Sequence, residues 1–264
     1  VDGRALAREV LARTKARAEK LPHQPKVVAY IAHDPTPATR SYLNIKKKMA
    51  EAAGCVFEET NDPSFFKNAD AVIIQLPTTP EAMAMLDTIP AEKDADVLSK
   101  AAREKFEQGD ADALLPPVVA AVAEIFRTYG VEPKGKRAVV VGEGFLVGQP
   151  AATWLRQKLA IVSTVKNSTN LKQHLKNADI VISGAGSPHI IKPDMLKKGV
   201  VLIDAGTSES SGVIVGDADP ACAQMCFLFT PVPGGVGPLA VAMLFENTVT
   251  LACLRRQAEK AMNI

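Results

Sequence analysis

Short β-branched apolar runs alternate along this chain with longer stretches in which apolar residues recur at helical spacing. Residues 2–21 carry Leu6, Val10, Leu11 and Leu21 among many charges, which predicts a surface helix with one buried stripe and Asp2 as its N-cap. Pro22 and Pro25 end it, and residues 26–32 (KVVAYIA) predict a buried strand. A helix over 38–54 and strands over 55–60 and 71–77 follow, so the first half reads as α/β with a parallel sheet and right-handed crossovers. Residues 99–112 read as a helix and its tail, and the LLPP segment at 114–117 breaks it. A long apolar helix then runs to Gly130, able to cross between two domains, and 131–136 (VEPKGK) is the linker to the second half.

The second half opens on a Val-rich strand at 137–141, a loop (Gly142, Glu143, Gly144, Phe145, Leu146, Val147, Gly148) and a helix with Pro150 in its first turn. Glycines let a backbone approach a pyrophosphate, and a helix N-terminus adds free N–H groups and partial positive charge. The spacing Gly-x-Gly-x-x-x-Gly differs by one residue from the common dinucleotide fingerprint, and a loop that serves packing alone stays open. Further apolar runs at 160–165, 178–188 and 200–208 each close on Gly, Ser or Asp, the pattern of parallel strands lining a nucleotide cleft. Residues 230–239 (TPVPGGVGPL) hold three prolines and three glycines, so this loop is stiff and bare at once. Pro238 suits the first position of an apolar helix over 239–250, and the helical pattern continues through Ile264. Composition leaves a ligand wall and a plain tight connection equally open there.

With 264 residues, 47% hydrophobic and 23% charged, the chain has ample material for the core of one large or two modest domains, ordinary for a soluble enzyme. Lys plus Arg exceed Asp plus Glu by only two, so nothing points to nucleic acid or an anionic membrane. The four cysteines lack metal-type spacing; Cys222 and Cys226 could face each other on a helix, but two thiols make no zinc site, and no metal is expected. Neither a membrane-length apolar run nor a signal-peptide pattern is read, so a cytoplasmic setting is expected, with an organelle open if a leader has been removed.

Chemistry-bearing residues are few. Tyr42 and Lys46, at i and i+4, share a helix face and can meet one ligand, whereas Lys47 and Lys48 point elsewhere. Gln75 falls at a strand's C-terminal end, as a ligand contact or a satisfied edge residue. Lys93, Asp94 and Asp96 lie on a polar segment that, without a partner, is a solvated loop.

These residues, taken with PGGVGPLAVAML at 233–244, QLP at 75–77, KDAD at 93–96, VGQP closing the 142–150 loop, GAGSP and IDAG, resemble the bifunctional methylenetetrahydrofolate dehydrogenase/methenyltetrahydrofolate cyclohydrolase family over almost the whole chain. The resemblance implies an N-terminal folate-binding, catalytic domain over 1–117, completed by a helix at 246–264. It also implies a Rossmann-type NAD(P)-binding domain over 118–245, with the active cleft between the two. It implies Lys46 as general acid/base, Gln75 as its tuner without an added charge, Tyr42 stacking on the folate and Asp96 accepting from the pterin. Gly235 and Pro238 are then at the substrate. The cofactor contacts implied are Gly142, Glu143, Gly144, Leu146, Val147, Gly148, Lys166, Ser168, Thr169, Gly184, Gly186, Asp204, Gly206, Gly234 and Gly235. A homodimer is implied as well.

Departures from the family pattern sharpen the questions. Glu143 and Gly144 replace the usual Arg-Ser, and a carboxylate repels a 2′-phosphate, while Lys166 and the following polar residues could bind one, so NADP and NAD both stay open. Thr39 replaces a Ser, Val97 replaces the Gly after Asp96, 114–117 replaces Pro-Cys-Thr-Pro, and the segment between Thr60 and Ala71 is short for a helix. A dehydrogenase-only member, a non-catalytic folate- or nucleotide-binding paralogue, and a dehydrogenase of similar architecture acting on amino acids are the alternatives. The last leaves the 233–238 loop and the Tyr42/Lys46 pair unexplained.

Overall fold

The structure, a computed structural model, describes residues 1–166, 170–210 and 213–262. It divides into two compact units, one of residues 7–117 with 241–264, the other of 1–6 with 118–240.

In the first unit, α1 (Gly3–Ala18), which starts in the other unit, leads to β1 (Lys26–Tyr30), α2 (Pro37–Ala52), β2 (Val56–Thr60), β3 (Ala71–Ile74), α3 (Pro80–Met85) and α4 (Lys100–Gln108). The strands form a parallel sheet in the order β2-β1-β3. All of β3 and the middle of β1 are buried, as continuous Val/Ile/Ala runs require in a sheet covered on both faces. Thr36 caps α2 by accepting from the Thr39 amide, and Pro37 occupies the first turn. That start fixes the helix phase so that Leu43 and Ala50 are buried while Tyr42 is 44% exposed. Between β2 and β3 a 3₁₀ turn, Pro63–Asn68, takes the place of a longer helix.

The second unit contains α5 (Pro117–Tyr129), β4 (Arg137–Val141), α6 (Gly148–Gln157), β5 (Ile161–Val165), α7 (Leu171–Leu175), β6 (Ile180–Ser183), β7 (Val200–Asp204), the hairpin β8 (Ser208–Ser210) and β9 (Val213–Val215), and β10 (Cys226–Phe229). Five parallel strands run in the order β10-β7-β6-β4-β5. Val141 pairs with both Val165 and Ser183, and Ser183 with Asp204, so four strand ends are level and their loops share one edge. The chain reverses direction beside β4, and such a switch point opens a crevice at the carboxyl ends of the strands. Val139, Val181, Leu175 and Leu202 fill the core of this unit, and Phe126 packs edge-on against Trp154 with centroids 5.6 Å apart.

α8 (Val236–Met262) closes the chain. It starts two residues before Pro238, the expected first helical position, so Pro238 is its third residue; the missing N–H of a proline is tolerated equally well anywhere in a first turn. Its 18-residue window of mean hydropathy 1.5 also corrects the expectation that no run is long and apolar enough to cross a membrane. That window is 61% buried, and its polar residues are engaged, Glu246 with Arg13 at 2.9 Å and Asn247 with the Ala95 and Leu115 carbonyls, each at 2.9 Å. Cys222 and Cys226 share no helix, since the 3₁₀ turn Pro220–Met225 holds the first and β10 begins at the second. Among the described residues, no group of three or more His, Cys, Asp or Glu could hold a metal.

Candidate active site

In the first unit, the helix phase of α2 and the end of β3 bring two expected residues into contact. The Gln75 amide continues the β3 pairing by donating to the Tyr30 carbonyl at 3.0 Å. Its side-chain Nε2 donates to the Leu76 carbonyl at 2.6 Å, which leaves Oε1 facing Lys46, whose Nζ donates to it at 2.9 Å. A neutral acceptor holds the amine in place without a formal charge. Burial drives the Lys46 pKa below that of an ordinary lysine, and the Asp96 carboxylate opposes the shift. Burial pushes the Asp96 carboxyl up to about 6, opposed by Lys46 and reinforced by Asp94. Gln75 thus holds the Lys46 amine in position, while Asp96 also acts on its charge. Tyr42, one turn before Lys46, keeps its ring exposed on the same helix.

Asp96 does not sit on a solvated loop. Asp94, 1% exposed, accepts from the Leu98 and Ser99 amides at 2.8 and 2.6 Å, and Ser99 in turn caps α4. Val97 has φ 57°, in the left-handed region that favours glycine, and is 2% exposed. A groove of about 320 Å³ lies at the ends of β1 and β2 beside His33, Asp34, Arg40 and Glu59; Tyr42, Lys46, Gln75 and Asp96 are not in its lining.

In the second unit the glycines of the crevice loops divide by what surrounds them. A Cβ on Gly142 (φ 98°) would lie 2.7 Å from the Gly184 carbonyl oxygen, one on Gly148 2.1 Å from the Gly142 oxygen, and one on Gly184 2.4 Å from the Val147 side chain. Gly142 and Gly184 let the loops after β4 and β6 close on each other, and Gly148 lets the first turn of α6 lie against the Gly142 carbonyl. A Cβ on Gly144 would meet nothing nearer than 3.9 Å, and one on Gly186 (φ 63°) nothing within 4 Å, so that side of the backbone faces open space there. No side chain caps α6 at Val147, and Leu146 is 45% exposed. The uncapped N-terminus and bare glycines suit a pyrophosphate. Glu143 pairs with Lys166 at 3.2 Å, so the acid that could repel a 2′-phosphate and the base that could attract one face each other. Ser168 and Thr169 lie outside the described residues.

Two expected cofactor contacts are turned inward. Asp204 is 1% exposed, and its carboxylate accepts from the amides of Gly206, Asp217 and Ala218 at 3.0, 3.2 and 2.8 Å. Burial pushes its carboxyl up to about 6 despite those amides. A Cβ on Gly206 would strike the Asp217 carboxylate, and one on Gly216 that of Asp204, so both glycines make room for acids. Asp217, which sequence reasoning missed, accepts from the Ser183 hydroxyl at 2.6 Å and from the Ala185 and Ser187 amides at 2.7 and 2.8 Å, shaping the GAGSP loop. Its signal in the sequence is an acid after a glycine, common in any turn.

The glycines of the 230–239 loop also answer to packing. Gly234 has φ 107°, its carbonyl accepts from the Gly3 amide at 3.0 Å, and a Cβ on Gly3 would overlap Gly235. A Cβ on Gly235 would lie 2.6 Å from the Pro231 oxygen, so its bareness is needed inside the loop itself. The Asp204 amide donates to the Thr230 hydroxyl at 2.7 Å, tying the start of the loop to the end of β7.

Comparison with known proteins accords with this geometry. Residues 116–256 match the model of the tetrahydrofolate dehydrogenase/cyclohydrolase NAD(P)-binding domain. The chain is 34% identical over 234 residues to a bifunctional protein FolD from Lactobacillus johnsonii, covering 81% of this chain and 83% of that one. A solved structure of the bifunctional FolD methylenetetrahydrofolate dehydrogenase/cyclohydrolase from Campylobacter jejuni superposes with a TM-score of 0.87 at 28% identity, covering 96% and 98% of the two chains. The Trypanosoma brucei FolD enzyme, solved with NADP and an inhibitor, gives 0.86 at 30% identity over 97% and 98%. With this match across both units, the chain belongs to the tetrahydrofolate dehydrogenase/cyclohydrolase family.

Proposed function

We propose that this protein oxidises 5,10-methylenetetrahydrofolate to the methenyl form with NAD(P)+ and hydrolyses the methenyl form to 10-formyltetrahydrofolate. The observation that carries this reading is the contact of Lys46 with Gln75 under the influence of Asp96. A lysine serves as a proton-transfer group near neutrality only when its pKa is brought down, and burial does that here. Lys46 moves the proton as water adds to the methenyl carbon and the ring opens. Gln75 holds its amine in place, Tyr42 offers a ring face for stacking, and Asp96 accepts hydrogen bonds from the pterin when ionised.

The second unit fits NAD(P): Gly144, Gly186 and the N-terminus of α6 would hold its pyrophosphate, and Gly142, Gly148, Gly184 and Val147 shape that cradle. When bound, the nicotinamide supplies the hydride acceptor. The chain's task in that step is positioning, since hydride transfer needs near van der Waals contact of the two carbons and no protein proton. NADP is the slight lean, supported by the NADP complex of the T. brucei relative and by Lys166. Replacing Glu143 with Arg removes the pairing partner of Lys166 and adds a second cation; kcat/KM for NADP over NAD is expected to rise by about tenfold or more, as charge-assisted contacts to a phosphate warrant. Equal ratios before and after the change exclude Glu143 as a cofactor selector. A homodimer and a cytoplasmic setting complete the proposal on family grounds, with sedimentation equilibrium to test the dimer.

One absorbance assay tests the whole reading. Methylenetetrahydrofolate with NAD or NADP is expected to give a methenyl signal that then decays, and authentic methenyl substrate is expected to decay faster than in buffer. Methenyl accumulation without enzymatic decay marks a dehydrogenase alone. No product with either cofactor, alongside measurable binding, marks a non-catalytic paralogue.

A further inference from the structure

Val97 is the anomaly of the first unit. A buried β-branched residue at φ 57° disobeys the backbone preference of its own side chain, and such a conformation persists only where its surroundings impose it. The imposing group is visible. Asp94 is fixed to the sheet by a parallel bridge to Val72 in β3, the strand whose end also presents Gln75. From there its carboxylate reaches forward and gathers the Leu98 and Ser99 amides at 2.8 and 2.6 Å. A chain that leaves Asp94 and must return its next amides to the same carboxylate within five residues has to reverse, and the reversal falls at Val97. Asp96 is the residue immediately before that reversal.

We propose that Asp94 is a positioning residue: by clamping the Leu98 and Ser99 amides it forces the left-handed turn at Val97 and so fixes the placement of Asp96, whose charge acts on Lys46. The idea rests on the role given above to Lys46 and Asp96, and it assigns work to an acid that is 1% exposed and whose carboxylate is turned onto backbone amides. It also accounts for the valine. Where glycine would adopt the turn at little cost, this chain depends on the Asp94 clamp to keep it.

The test compares Asp94→Asn, Asp96→Asn and the double change Asp94→Asn with Val97→Gly, each checked by thermal melting for a folded chain. Two readouts are needed. The first is the pH titration of Lys46 in protein carrying ¹³C-lysine, which needs no turnover. Asp96 raises the Lys46 pKa, so Asp96→Asn is expected to lower it, and Asp94→Asn is expected to lower it likewise because Asp96 moves away. The second is kcat/KM for methenyl hydrolysis, expected to fall about tenfold or more in Asp94→Asn, the scale of a misplacement near 1 Å. Adding Val97→Gly, which restores no charge but frees the turn, is expected to recover at least about threefold of that loss, because glycine populates this conformation readily.

If Asp94→Asn melts lower yet leaves both readouts unchanged, Asp94 is structural only and the proposal is overturned. A Lys46 titration blind to Asp96→Asn overturns it as well, since the Asp96 charge then does not act on Lys46. If the titration shifts as expected but no variant or parent hydrolyses methenyl substrate, the positioning stands and the functional reading fails instead.

Discussion

Lys46→Met is expected to lower methenyl hydrolysis by about 10²- to 10⁴-fold, the range a positioned proton-transfer group contributes. Methionine keeps an unbranched side chain of similar length and loses the amine, so Tyr42, Gln75 and Asp96 remain for the folate contacts proposed for them. Hydride transfer requires no protein proton, and dehydrogenase turnover is expected to fall less than hydrolysis. Asp96 supplies a second signature. Lys46 lowers its pKa, and without that amine the carboxyl rises beyond about 6. Folate affinity in the variant is then weaker at pH 7 and recovers as pH increases. Stability follows the opposite course: a carboxyl whose folded pKa lies above its unfolded value of about 3.9 contributes most below that value, and the contribution is lost as pH rises through the folded pKa. Methenyl hydrolysis at the parental rate in Lys46→Met would remove this lysine from the mechanism.

Much of the frame was legible because local chemistry and tertiary structure agree in it. Residues 26–30, 71–74, 137–141 and 200–204 are β-branched apolar runs bounded by turn residues, and each became a buried parallel strand. The strands expected over 26–32, 71–77, 178–188 and 200–208 ran too long at their C-terminal ends, since pairing stops where the strand ends are level and not where apolar character fades. β10 was missed: four residues starting on a cysteine and preceded by a 3₁₀ turn carry no period, and only the edge of β7 makes them a strand.

At the candidate site, the pairing of Lys46 and Gln75 was expected from the family resemblance; helix phase and strand end are local properties that place each residue, and the contact itself is tertiary. The inward turn of Asp204 could not be expected. Its carboxylate is consumed by amides two to fourteen positions away, within a network completed by Asp217 and by two glycines whose bareness accommodates carboxylates. Gly-Asp pairs read alike whether a ligand or another acid fills the space. The same ambiguity governed residues 230–239, where the glycines suggest a wall for a ligand. Gly235 is bare because Pro231 and Thr230 crowd it, and Gly3 is bare because the Gly235 carbonyl crowds it, a contact spanning more than two hundred residues of sequence.

Gly148→Ala is expected to abolish most dinucleotide binding while sparing methenyl hydrolysis. The new methyl group would sit 2.1 Å from the Gly142 carbonyl oxygen and 2.7 Å from its carbon, against backbone that no rotamer change can move aside. Gly142 cannot yield, because its own open face lies against the Gly184 carbonyl. The loop after β4 must therefore lift off the loop after β6, or α6 must shift at its first turn, and either movement displaces the amides proposed to hold the pyrophosphate. Overpacking of this kind costs about 1–3 kcal/mol, so the melting temperature should fall and the KM for NAD(P) should rise by at least about tenfold. Gly144→Ala is the matched control: its methyl meets nothing nearer than 3.9 Å, so it should melt like the parent, and any loss of cofactor affinity reports on the ligand's own approach. Lys46, Gln75 and Asp96 belong to the other unit, so hydrolysis of authentic methenyl substrate should proceed in both variants. A Gly148→Ala protein with parental melting temperature and cofactor KM would show that this loop is not where the dinucleotide binds.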